Sequence, residues 1–303
     1  MVKKYQCEDR KLVEVAHNEC PVLVYINPGE AEKRYLVDTL KLDEHTLNSA
    51  LDPDELSRLE FEPEHVAIIF KRPRNYSAQE QFYFKVSSLG AFIFKDKLII
   101  VTNEDIPLFD GITFNRSTPA FVFLRLIYRS IFHFLEHLKI ISTIADELQD
   151  KINRAMENKH LLNLFTLEKS LVYYLNSINS NSVLIEKLRV NSAKLGISVE
   201  DQELLDDIFI ENNQCYRQAE ILSNVLSGLM DARASIVSNN LNMLMKTLNI
   251  ITIAIMVPTF VVSAFSMNVA IPFQAHPHAF WLILGLALFS VIGFTFFWRY
   301  KRW

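Results

Sequence analysis

The chain has 303 residues, half of them hydrophobic, and a formal net charge of −4. A charge so slight, with no run of like sign, argues against a nucleic-acid or strongly acidic partner. The cysteines Cys7, Cys20 and Cys215 lie far apart, which excludes a zinc knuckle and a disulfide framework and fits reduced cytoplasmic thiols.

Met1 to Lys11 is mixed and charged, without the apolar core of a signal peptide. Residues 1–115 read as a cytoplasmic α/β domain. Pro21 to Ile26, His65 to Phe70, Gln81 to Val86 and Ala91 to Val101 are rich in β-branched and aromatic residues and predict strands, with Lys95-Asp96-Lys97 turning a hairpin inside the last. Ala31 to Leu40 and Asp43 to Leu51 have helical spacing, and Asp52-Pro53-Asp54 marks a break. With 7 glycines in the chain, no Gly-rich phosphate loop follows a predicted strand, which speaks against the usual nucleotide sites.

Residues 116–246 read as a helical stalk. Thr118 is a fitting N-cap with Pro119 at the first helical position. Apolar residues then recur at helical spacing, as in Phe121, Leu124, Ile127, Tyr128 and Ile131, and again in Leu161, Leu164, Leu167 and Leu171. Breaks near Asn153 to Lys159 and at Asn191 to Ser198 divide the stretch into three long helices. The third begins near Val199 and continues to Phe265, with Gly228 and Pro258 its sole Gly and Pro after Asp201. About 65 helical residues at ~1.5 Å each would extend nearly 100 Å. Within the stalk, His133-Phe134-Leu135-Glu136-His137 fits the His-x-x-Glu-His pattern of inverted zinc peptidases. Histidines four apart are common on a long amphipathic helix and no third ligand is specified, so the chain is expected not to be an enzyme.

Residues 247–303 read as a transmembrane hairpin. Thr247 to Phe265 carries no charge, and about 19 helical residues approach the ~30 Å of a bilayer core. Its polar residues form a stripe: Asn242, Asn249, Thr252, Thr259, Ser263 and Ser266 follow at intervals of 7, 3, 7, 4 and 3. A lone helix cannot enclose an aqueous path, so the stripe faces an axis shared by several copies, or else it is a packing face of small residues. A second apolar run, Ala279 to Trp298, follows the loop 266–278. That loop has no Lys or Arg, whereas Arg233 and Lys246 precede the first span and Arg299, Lys301 and Arg302 form a basic tail after the second, so both termini are expected to be cytoplasmic and the loop to face outward. His276 and His278 in the loop read either as ordinary loop residues or as imidazoles suited to a transition metal.

These residues carry a resemblance. Two C-terminal spans, a loop containing Met267-Asn268 and the tail Trp298-Arg299-Tyr300-Lys301-Arg302-Trp303 resemble the CorA-type divalent-cation transporters, whose loop begins Gly-Met-Asn. Upstream, Ser227-Gly228-Leu229-Met230-Asp231, Val237-Ser238-Asn239-Asn240, Met245-Lys246 and Ile250-Ile251-Thr252, followed by Pro258 and Thr259, are similar to that family's pore helix in order and spacing. The family Gly is Ser266 here.

The resemblance implies an α+β membrane protein that assembles as a homopentamer, with the first span lining a pore for a divalent cation and no cofactor besides that cargo. It implies that Asn268, with Met267 and Ser266, receives the hydrated ion at the mouth. Thr252 and Thr259 would lie along the path, and Asn242 would form a polar ring at the cytoplasmic end. Met245, Leu248 and Met256 would be apolar constrictions. It further implies a regulatory Mg²⁺ shared between an Asp of one subunit's domain and an Asp of the next subunit's long helix; these positions fall on Ser49 and Asp207 here, so closure by cytoplasmic Mg²⁺ is expected to be weak. Mg²⁺ is the first expectation for the cargo, with Zn²⁺, Co²⁺ or Ni²⁺ the second. A membrane-anchored coiled-coil scaffold that transports nothing is the rival reading.

Overall fold

A computed structural model of the chain describes residues 1–15, 20–76, 82–154, 158–267 and 277–301, with the side chains of 152–154, 158 and 301 outside the description. It divides into two compact units, Met1–Met230 and Asp231–Trp303.

The first unit is built on a seven-stranded sheet. In chain order the strands are β1 (Val2–Glu8), β2 (Lys11–Glu14), β3 (Val22–Ile26), β4 (Arg58–Phe61), β5 (Val66–Pro73), β6 (Val86–Ile93) and β7 (Leu98–Thr102), arranged β2-β1-β3-β7-β6-β5-β4. Only β3 and β7 run parallel; the other neighbours are antiparallel. That parallel pair needs a crossover, and α1 (Glu30–Arg34), a turn of π-helix at Tyr35–Thr39 and α2 (Glu44–Leu51) open the connection, ahead of β4, β5 and β6. The predicted helix over Ala31 to Leu40 is therefore present, widened in its second half. Asp43 caps α2, its carboxylate accepting from the Thr46 N–H at 2.8 Å.

The predicted strands at Pro21 to Ile26 and His65 to Phe70, and the hairpin at Lys95 to Lys97, are found. Met1 to Lys11, to which no element was assigned from sequence, supplies β1 and the start of β2, an edge hairpin whose residues are at most half-buried. One expectation is corrected. Of the predicted strand Gln81 to Val86, Gln81 lies outside the described residues and 82–85 are not strand: Phe82 sits at φ 68° and the Phe84 N–H goes to the Ser170 hydroxyl at 3.0 Å instead of to a ladder, so β6 begins only at Val86.

Alternation along the strands sends side chains to two cores. One face, with Tyr25, Ala67, Phe92, Ile99 and Val101, packs under Leu36, Leu42 and Leu47. The other, with Ile68, Phe70, Leu89, Ala91 and Ile100, packs against α3 (Pro119–Arg154) and α4 (Asn158–Val190). Asn181 of α4 clamps the sheet, accepting from the Lys71 N–H and donating to the Lys71 carbonyl, both at 2.9 Å.

The third long helix, α5, spans Val199–Ala264 with Pro258 inside it. Its buried residues Leu205, Ile208, Asn212, Cys215 and Ala219 alternate intervals of 3 and 4, the spacing of a coiled-coil seam. Within that seam the Asn212 amide donates to the Ser182 hydroxyl at 2.7 Å. Burial pushes the Cys215 thiol up to about 12, so it stays an unreactive apolar filler.

The second unit contains the C-terminal part of α5 and α6 (Ala279–Lys301). Among the described residues two helices, α5 and α6, are long and apolar enough to cross a membrane, and their most apolar stretches are 0% and 6% buried. Apolar surface of that extent in water would be a large liability; against lipid it is the expected finish.

Candidate functional site

The polar stripe on α5 takes its shape from local hydrogen bonding. A hydroxyl in an apolar helix satisfies its proton on the carbonyl one turn back, and Thr252 donates to the Leu248 carbonyl at 2.8 Å while Thr259 donates to that of Ile255 at 2.6 Å. The Ser266 hydroxyl likewise donates to the Ser263 carbonyl at 2.9 Å. With its proton engaged, each hydroxyl oxygen keeps lone pairs for a ligand. Pro258 has no N–H, so the carbonyl of Ala254 lacks its intrahelical donor and adds a backbone oxygen to the same stretch.

Within one chain Thr252, Thr259, Met245, Leu248 and Met256 are all exposed, the three apolar ones by 59–63%. The exposure of Leu248, Thr252, Met256 and Thr259 leaves that surface of the helix open to another partner. At the other end, Asn242, Met245 and Asn249 line a cavity of about 580 Å³ together with Phe294, Phe297 and Trp298 of α6. The aromatic wall was not identified as part of a site from sequence, because Phe294 and Phe297 lie in an apolar run whose spacing marks no face.

Met267 and Ser266 are exposed just past the end of α5. Asn268 and His276 lie outside the described residues, as does Arg302; Arg299 is exposed near the end of α6, and Lys301 is its last residue.

In the first unit Asp207 is exposed on α5, next to Asp206, which pairs with Arg189 at 2.9 Å. Ser49 is 5% exposed, on the face of α2 that packs onto the sheet. The adjoining loop is better placed for a cation: Asp52 and Asp54 are exposed, and the Asp54 N–H folds back on the Asp52 carboxylate at 2.9 Å. Lys71 straps this loop to the sheet, its buried ammonium donating to the Pro53 carbonyl at 2.7 Å and the Ser88 hydroxyl at 2.9 Å. Burial, only partly offset by Asp52, Asp54 and Glu55, lowers the Lys71 pKa.

The His-x-x-Glu-His segment of α3 does a different job from that of a zinc peptidase. His137 is buried and its Nδ1 shares a 2.6 Å hydrogen bond with the Tyr174 hydroxyl of α4. Glu136 faces Arg129 at 3.6 Å. Burial first, then the neighbouring His137, Arg72 and Arg129, push His133 down to about 3; burial and Arg72 push His137 down to about 4. Among the described residues no group of three or more His, Cys, Asp or Glu is disposed to hold a metal.

A layered α/β unit followed in the chain by two helices long and apolar enough to cross a membrane defines the class, a two-span membrane protein. The match to a family model resolves the class further: residues 23–300 fit that of the CorA-like Mg2+ transporter protein, and the chain belongs to that family. Among curated relatives it is 25% identical over 288 residues to the cobalt/magnesium transport protein CorA of Methanocaldococcus jannaschii, covering 91% of this chain and 89% of the relative. The complete structure of the CorA magnesium transporter from that organism superposes with a TM-score of 0.82 at 21% identity, covering 98% of this chain and 96% of the other. The full-length CmaX protein follows with a TM-score of 0.72 at 18% identity, over 100% and 98% of the two chains. The ZntB cytoplasmic domain from Vibrio parahaemolyticus has a TM-score of 0.61 at 12% identity, over 78% of this chain and 98% of that one.

Proposed function

We propose that this chain carries divalent cations, Mg²⁺ first, through a homopentamer whose pore is lined by the first span. The carrying observation is a membrane helix without a charge from Thr247 to Phe265 that nevertheless keeps a stripe of amide and hydroxyl oxygens on one side. Mg²⁺ dehydrates reluctantly, and a pore without anionic ligands cannot strip it, so the ion passes with much of its water shell, touching Thr252 and Thr259 through water. Asn268, flanked by Met267 and Ser266, receives the ion at the outer mouth, and Asn242 rings the cytoplasmic end. Between them Met245, Leu248 and Met256 close the path by excluding water. With both termini cytoplasmic, the basic tail of Arg299, Lys301 and Arg302 lies at the inner membrane surface.

The membrane potential suffices as a driving force, since a divalent ion gains about 4.6 kcal/mol per 100 mV, roughly a thousandfold in concentration. Co²⁺ is the second cargo, supported by the name of the archaeal relative. Regulation by cytoplasmic Mg²⁺ through Asp207 is weak, because the position that the family resemblance pairs with it is Ser49, a hydroxyl that is buried.

The test is flux into liposomes holding the purified protein and a metal-sensitive dye, with Mg²⁺, Co²⁺, Ni²⁺ and Zn²⁺ outside, with and without a pH gradient. Entry of Mg²⁺ driven by an inside-negative potential supports the reading. No entry of any of the four metals supports a scaffold instead.

A further inference from the structure

Alternation along β5 puts Phe70 and Arg72 on the face that meets α3. Phe70 meets Phe123 edge-on, ring centroids 5.9 Å apart. Two residues on, Arg72 lies across from the next turns of the helix, where it shares a cavity of about 170 Å³ with Arg129, Ser130 and His133. Arg72 is 6% exposed, and its Nη1 is buried without a hydrogen-bond partner. Glu104 is the carboxylate whose field reaches it, but Glu104 is taken by Arg74 at 2.5 Å. Among the described residues Arg72 has no ion pair of its own. A buried guanidinium without an ion pair is costly to a fold, and its planar fork is shaped for an oxyanion.

We propose that this cavity is a binding site for inorganic phosphate, held by the Arg72 guanidinium with the Ser130 hydroxyl and Arg129 as further donors. The volume admits a tetrahedral oxyanion and is too small for a nucleotide, since ligand pockets of drug-sized molecules run to about 300–1,000 Å³. Ser130 is buried at 7% exposure, one position from Arg129 and three from His133, so the three present donors from a single stretch of α3. His133 is neutral, kept so by burial and the surrounding cations, and as a neutral imidazole it offers one donor and one acceptor.

The cavity is also lined by two carboxylates, Asp110 and Glu136. Glu136 is turned to Arg129 at 3.6 Å. Asp110 would repel a fully deprotonated oxyanion, whereas it accepts a hydrogen bond from one that still carries a proton. Phosphate near neutral pH carries at least one; sulfate carries none. The site therefore selects phosphate over sulfate.

The experiment is isothermal titration of the full-length protein in detergent, with EDTA present and ionic strength held constant, using sodium phosphate, sodium sulfate and sodium chloride. Phosphate is expected to bind at least ~10-fold more tightly than sulfate, with chloride silent, and to raise the thermal midpoint as bound ligand must. Arg72→Gln is expected to abolish the phosphate heat, and Asp110→Asn to bring sulfate up towards phosphate. Equal responses to the three anions, or phosphate binding unchanged in Arg72→Gln, would overturn the proposal. Should Arg72→Gln fail to fold, Arg129→Gln decides: at least ~10-fold weaker phosphate binding supports the site, unchanged binding overturns it.

Discussion

Ala50 of α2 rests directly on Gly90 of β6: a Cβ added at Gly90 would stand 2.5 Å from that of Ala50 and 3.2 Å from the Phe92 ring. Glycine is required here for close approach, and the approach decides how deeply α2 is sunk. Ser49, the residue before Ala50, is buried by it. Gly90→Val is expected to lift α2 from the sheet and to cost about 1–3 kcal/mol as overpacking against backbone. A thermal melt of the full chain in detergent checks this; an unchanged midpoint would mean that α2 shifts freely.

That burial sharpens the expectation for regulation. If Asp207 and Ser49 form the regulatory pair that the family resemblance implies, one exposed carboxylate and one buried hydroxyl leave the hard cation's charge half balanced, so Mg²⁺ at millimolar concentration should protect α5 from protease weakly or not at all. Ser49→Asp is expected to strengthen protection while lowering the thermal midpoint, because its carboxylate enters a packed face. Strong protection in the wild type that disappears in Asp207→Ala would show a full sensor and contradict the account.

Leu248 is 59% exposed within a single chain and is not among the residues that line the cavity shared with α6. If it closes a pore by dewetting, Leu248→Asn leaves the path hydrated and uptake becomes constitutive. Dye-reported influx should rise several-fold at rest. Silence of Leu248→Asn together with Thr252→Val and Thr259→Val would make the stripe a packing face between helices.

The α3–α4 core carries a pH dependence whose sign follows from its two depressed histidines. Both are neutral when folded, at about 3 for His133 and about 4 for His137, against an ordinary value of 6.5. Between 6.5 and those values the unfolded chain binds protons that the folded chain refuses, so stability is full above 6.5 and is lost as the pH falls through this window. For the buried His137 the slope is at most about 1.4 kcal/mol per pH unit. Stability measured from pH 7 to 5 should fall less steeply in His137→Gln; an identical slope would mean that the histidines titrate as they do in the unfolded chain.

Much of the fold was legible because its signals are long. Three helices of 33 to 66 residues and two apolar spans announce themselves by periodicity and length. Short edge elements did not. β1 alternates Lys3, Tyr5 and Cys7 with Lys4 and Gln6, a strand with no fully buried side chain and so little hydrophobic contrast. Tyr83 and Phe84 look like strand residues, yet Phe84 is held by Ser170 of α4, a partner 86 positions away that local pattern cannot reveal. The stripe from Asn242 to Ser266 was readable from spacing, whereas the burial of Ser49 depends on a glycine 41 residues later in another element. Arg72 was read as part of no site; its isolation becomes visible only when Glu104 is seen to be occupied by Arg74.

The central claim, that a ring of uncharged oxygens at the mouth admits a hydrated divalent ion, rests most directly on Asn268. The decisive measurement is Mg²⁺ influx into liposomes at an imposed inside-negative potential, comparing wild type with Asn268→Ala after both have been shown by sizing to form the same oligomer. The account predicts influx that grows with the potential in the wild type and falls at least ~10-fold in Asn268→Ala, since uncharged oxygens and not fixed charge supply the recognition. Equal influx in the two proteins would contradict it.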